Sequence, residues 1–157
     1  MSSGDDQFRR SIYTFSKRTS PFALTATFDA PSGEACIARR EITNTPMQAL
    51  SMLNDVTFMQ AARELGKLTS NAQGNDREKL TNLFRRILVR PATTDELSAL
   101  QEYLEQQSIR LRAGQLPAVK IAAESATEKL SDEEAIQRAS WTMVARIMMN
   151  LDESVTK

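Results

Sequence analysis

"NDREKLTNLFRRILVRPATTDELSALQEYLEQQSIRL", residues 75–111, is the segment on which the fold turns. Its first half sets Leu80, Leu83, Phe84, Ile87 and Leu88 at i, i+3, i+4, i+7 and i+8, the spacing of one face of an α-helix. Asn75 and Glu78 stand where they can cap that helix, and Pro91 ends it. Thr93-x-x-Glu96 is a capping box. It opens a further helix with Leu97, Leu100, Leu104 and Leu111 inward, limited by Gly114 and Pro117. Two successive amphipathic helices must bury their stripes against other helices, so an all-α fold is expected.

Downstream, residues 115–130 read as a loop with one short helix. Ser131-x-x-Glu134 is another capping box, opening a helix with Ile136, Ser140, Met143, Val144, Ile147 and Leu151 on one side. Upstream, Thr45-Pro46-Met47-Gln48 has the form of a helix start, with threonine as cap, proline at the first helical position and glutamine reaching back. A short helix then runs to about Leu53, with Met47 and Leu50 on one face. Phe58, Ala61, Ala62 and Leu65 mark the next helix, with Gly66 near its end and a polar linker over residues 71–75. "SIYTFSKR" (11–18) fits a helical turn or a short strand, and "ALTATFDAPSGEA" (23–35) reads as extended chain and turns. Residues 1–10 read as a disordered polar tail. The expectation is an irregular bundle of about five helices with an extended, loop-rich N-terminal segment, forming one domain over residues 11–157.

Composition narrows the chemistry. The chain has 157 residues, 41% hydrophobic and 25% charged, the balance of a globular protein. Twenty basic and twenty acidic residues cancel, so no long-range field draws nucleic acid or anionic lipid. There is no histidine and one cysteine, Cys36. Ser-His and Cys-His nucleophiles, haem ligated by histidine and an internal disulfide are therefore excluded within this chain. No apolar run approaches ~18 residues, so no membrane span is expected.

Five residues are candidates for binding: Arg39, Arg40, Asn44, Asn54 and Asp55. Two guanidiniums beside the helix that starts at Pro46 would suit an anion. The same arginines could instead pair with Asp29, Glu34, Asp55 or the C-terminal acids and brace the loop. Asn44, Asn54 and Asp55 could orient a ligand or, as such residues commonly do, cap helices and close turns. Arg85, Arg86 and Arg90 lack interleaved aromatics and have acids close in sequence, which suits a salt-bridged surface rather than a nucleic-acid face. Glu133 and Glu134 suit a helix N-terminus, whereas Asp152 and Glu153 fall at the unfavourable end of the last helix and call for arginine partners. Cys36 is expected to be a small buried residue, and Met143, Met148 and Met149 core filler. No catalytic residue and no metal site stand out.

Four segments carry a resemblance: "FRRSIYTFSKRTSP" (8–21), "TFDAPSGEAC" (27–36), "RREITNTPMQALSMLND" (39–55) and "WTMVARIMMNLDES" (141–154). Over nearly the whole chain they resemble the C-terminal domain of unknown function in large secreted planctomycete proteins, many of which also carry a cytochrome c domain. The resemblance implies a fragment of an exported, periplasmic or secreted multidomain protein. It implies no haem in this chain, which lacks Cys-x-x-Cys-His, and haem only in a separate domain. It also implies partners that are other domains of the parent or another protein. The leading expectation is a non-catalytic helical accessory or interaction domain. The alternative is part of a hydrolase or oxidoreductase site with an anion pocket near Arg39, Arg40, Asn54 and Asp55.

Overall fold

The computed structural model describes residues 11–13, 22–31, 36, 38–39, 42–123 and 128–156. Residues 1–10, Glu34 and Arg40, on which some expectations rest, lie outside the described residues. Among the described residues there is no strand. After a 3₁₀ turn at Ser11–Tyr13 come α1 (Ala23–Thr27), α2 (Pro46–Asn54), α3 (Val56–Asn71) and α4 (Asp76–Leu88). They are followed by α5 (Thr94–Arg112), α6 (Ala118–Ala122), α7 (Asp132–Met149) and α8 (Asp152–Val155). The fold is all-α, with five long helices as expected.

The helix starts follow from local chemistry. Asn75 Oδ1 accepts the Glu78 N–H at 2.9 Å while the Glu78 carboxylate accepts the Asn75 N–H at 3.1 Å. Thr93 and Glu96 repeat the reciprocal cap on α5. Ser131 caps α7 by accepting the Glu134 N–H at 3.3 Å, but the Glu134 side chain turns instead to Arg138 at 2.7 Å. α4 ends at Val89, which adopts a left-handed backbone with φ 60° and is 77% exposed. For a β-branched residue that conformation is strained by roughly 1–2 kcal/mol.

Two apolar clusters share α7. The larger joins Leu80, Leu83, Phe84 and Leu88 of α4 and Leu97 and Leu104 of α5 to Trp141, Val144, Ala145 and Met148 of α7. The smaller joins Leu111, Ala122 and Ala139, with Leu116, Ile121, Leu130, Ile136 and Met143 against them. Each fully buried large side chain contributes about 1.5–3 kcal/mol. The second cluster closes partly through Arg63 of α3, whose guanidinium donates to the Lys120 and Ile121 carbonyls at 3.0 and 3.1 Å.

Three local expectations are corrected. Residues 23–27 form α1 rather than extended chain, a five-residue helix with no buried residue. α7 is not a one-sided helix: Ala135, Ala139, Ser140, Trp141, Thr142, Val144, Ala145 and Met148 bury most of its circumference, and Leu151 falls beyond its end, exposed. Such burial requires small residues, because α3, α5 and α6 all crowd onto the same helix. Gly66 lies well inside α3, which continues to Asn71. A Cβ there would meet Thr142 N at 2.7 Å and Thr142 Cα at 2.9 Å, so glycine is what lets the two backbones touch.

Candidate functional site

The Thr43–Asp55 elbow holds a dense polar network built on Thr43, Thr45 and Gln48. Thr45 begins it as the cap of α2, accepting the Gln48 N–H at 3.3 Å, and Gln48 Oε1 accepts the Thr45 N–H at 2.9 Å. A glutamate would serve that exchange equally well. The amide is needed for its donors: Gln48 Nε2 donates to Thr27 O at 3.0 Å, to Thr43 Oγ1 at 3.1 Å and to Asp29 Oδ2 at 3.3 Å. Gln48 is 1% exposed, so these bonds replace water it has lost. Its neighbours on α2 face outward, Met47 at 61% and Leu50 at 53% exposed. The two apolar residues do share a face, and it is the outer one.

Asp29 closes the network. Its carboxylate accepts the Thr43 N–H at 2.8 Å and bonds the Thr43 hydroxyl. The backbone bond from Thr43, then the hydroxyl bond, hold its pKa below the ordinary value against the opposing effect of burial, and Gln48 adds a lesser lowering. Asp29 sits at φ 56°, a left-handed conformation that aspartate tolerates. Asp29 thus serves the elbow.

The four candidate residues that are described do not converge on one site. Asn44 Nδ2 donates to Asp152 Oδ1. Asn54 Nδ2 donates to the Leu50 carbonyl within its own helix at 2.9 Å. Asp55 caps α3 by accepting the Thr57 N–H at 2.8 Å. Arg39 is exposed and makes no ion pair among the described residues. Arg40 lies outside them. Arg146 of α7 was in no expectation, yet its guanidinium donates to the Leu53 carbonyl at 2.6 Å and so caps the end of α2.

Asp152 and Glu153 are not at the end of the last long helix. α7 stops at Met149, and the two acids open α8, where a helix N-terminus favours them. Glu153 has an arginine partner, Arg90, whereas Asp152 takes the Asn44 amide instead. Arg90 Nε reaches both Glu153 oxygens at 2.7 and 3.0 Å, while Nη1 and Nη2 reach Glu96 at 3.0 and 2.6 Å. The guanidinium also lies 4.8 Å from the centre of the Phe84 ring. Hydrogen bonds to Glu96, then to Glu153, raise the Arg90 pKa further. Arg90 in turn pulls Glu96 down to about 2, helped by the Thr93 N–H. Arg85 and Arg86 of the same cluster are exposed.

Cys36 is exposed, not buried. Met148 is fully buried and Met143 packs on the smaller cluster, as core filler does. A groove of about 480 Å³ lies between α5 and α7, lined by Leu104, Ser108, Arg112, Glu133, Ser140 and Trp141 among others. Its hydroxyls are committed: Ser108 bonds the Leu104 carbonyl and Ser140 Oγ, and Ser140 bonds the Ile136 carbonyl. Among the described residues no three acids or cysteines cluster to hold a metal, and no helix is long and apolar enough to cross a membrane.

The all-α architecture and the braced elbow fit a family match. The sequence model of PSD1, proteins of unknown function (DUF1553), matches residues 1–104, and the chain belongs to that family. The matched part takes in the elbow and ends inside α5, so it is shorter than the resemblance, whose last segment lies beyond it. No curated protein and no solved structure matches the chain.

Proposed function

We propose that this chain is a non-catalytic accessory or interaction domain of an exported multidomain protein, and that it works by contact through the outer face of α2. The observation that carries this reading is the inversion of α2. The helix carries no charged residue, buries its glutamine, and turns Met47 and Leu50 to solvent. Exposed apolar side chains on a helix braced from behind suit a protein surface as partner better than a small ligand. The hydrogen bonds of Asn44, Asn54 and Asp55 support a bracing role for them over a binding one. Haem, where the parent has it, would belong to a separate domain. Export to the periplasm or beyond, and the planctomycete-type context, rest on the resemblance of the four quoted segments.

Photo-crosslinking tests the reading. A photoreactive residue at position 47 or 50 of the full-length protein should yield adducts with a neighbouring domain or a partner, and one on exposed Glu102 of α5 should not. Equal labelling from both faces would sink the reading. So would a hydrolytic or redox activity abolished by Arg39→Ala.

A further inference from the structure

α8 is four residues long and buries none of them. A helix so short has no stability of its own, so what it touches must hold it. Its first two side chains reach in different directions. Glu153 takes its bonds from Arg90, in the turn between α4 and α5, at 2.7 to 3.0 Å. Asp152 takes the Asn44 amide from the elbow, 108 residues away in sequence. Within the turn and toward the end of α7, Ser154 bonds the Met149 and Leu151 carbonyls and Thr156 the Asp152 carbonyl.

We propose that α8 is an electrostatic clasp, a single helical turn that fastens the elbow to the helical bundle through the Asn44–Asp152–Glu153–Arg90 chain of contacts. Asp152 and Glu153 are adjacent on one turn with no fully buried residue, its Val155 only half-buried. Losing either contact therefore frays the turn and removes the other. Among the described residues the elbow keeps the Arg146 bond to the Leu53 carbonyl, and the adjoining Phe28 keeps its ring contact with Phe58, centroids 6.1 Å apart. Opening the clasp therefore loosens residues 42–48 without unfolding the bundle. The Arg90 and Glu153 side chains are 36% and 39% exposed, so dissolved salt screens their attraction and favours the open form. Asn44 lies within the family match and α8 beyond it, so the clasp joins the matched part of the chain to the part that follows.

Hydrogen–deuterium exchange on the intact chain tests the clasp. Glu153→Ala touches no atom of the elbow, yet it should speed exchange of the Thr43, Thr45 and Gln48 amides several-fold. Asn44→Ala should likewise speed exchange in α8, and the double variant should exceed neither single. In the wild type, 1 M salt should reproduce the Glu153→Ala pattern and add little to that variant. Glu153→Gln, which keeps the shape and loses the charge, should give an intermediate effect. In all of them the α4 and α7 amides should keep their protection, which shows that the bundle is folded. The clasp is refuted if Glu153→Ala quickens α8 alone, or if the two single effects add.

Discussion

The bundle of α3–α7 and the lobe from Phe22 to Asn54 are held by different forces. In the bundle, Phe84, Leu80, Val144 and Met148 have lost essentially all contact with water, and α3 and α7 meet backbone to backbone. In the lobe the one buried side chain described is Gln48, a polar one, while Phe22, Ile42, Met47 and Leu50 are exposed. Hydrophobic burial is roughly proportional to area and forgiving of direction, whereas hydrogen bonds are directional and leave little net stability. The difference teaches that the bundle should unfold as one cooperative unit and the lobe should open at lower cost, as local units commonly do.

Phe84→Ala should show the bundle side of this contrast most strongly. The loss should be about 3–5 kcal/mol, read as a lower denaturant midpoint by circular dichroism. An unchanged midpoint would contradict the central place given to α4. Next comes Gln48→Glu, which keeps the cap acceptor, loses the donors and sets a second carboxylate beside Asp29. It should loosen the lobe by about 1–3 kcal/mol in amide exchange while the bundle midpoint barely moves. A matching drop in the midpoint would mean that the two regions are one unit.

Gly66→Ala sharpens the comparison from the other direction. Alanine favours helix over glycine by up to about 1 kcal/mol, but the new Cβ presses on the Thr142 backbone, which cannot rotate away. A net loss of roughly 1–2 kcal/mol is expected from overpacking, and a gain in stability would show that the helices separate freely. Val89→Gly should do the reverse. It relieves the left-handed strain and should raise stability by about 1 kcal/mol, measured by the same denaturation. A loss would mean that the valine side chain makes a contact that outweighs its backbone.

The smallest effect concerns acid. Glu96 is held below its ordinary value in the folded chain, so its contribution is present above about 4.5 and fades as pH falls toward about 2. Glu96→Gln should lower stability at neutral pH, matter little near pH 2, and so flatten the pH dependence across that interval. An unchanged slope would show that Arg90 does not favour the charged carboxylate. Added salt should weaken the effect, since Arg90 and Glu96 are each about one-third exposed.

What could be read from the sequence divides along the same line. Helices α4 and α5 were legible because their stripes and caps are local, set by residues within the helix itself. The cap of α2 was legible for the same reason. The second task of Gln48 was not, because Thr27 and Asp29 lie 21 and 19 residues away. The one available hint is that glutamine rather than glutamate occupies the capping position, which supplies donors a cap does not need. The partners of Glu153 and Asn44 were hidden by separations of 63 and 108 residues. α7 misled because alanine, serine and threonine look like surface filler in a sequence and are instead what a crowded central helix requires. Cys36 misled for the opposite reason: its residue type is usually buried, and here it is not.

The meeting of Gly66 with Thr142 has one more consequence. Where two main chains touch at a single notch, neither rod can slide along the other by one residue without setting a side chain where only a hydrogen fits. Sliding is thus closed to the α3–α7 pair and pivoting about the notch is left open. Any rearrangement these helices undergo should appear as a change of crossing angle at a fixed point.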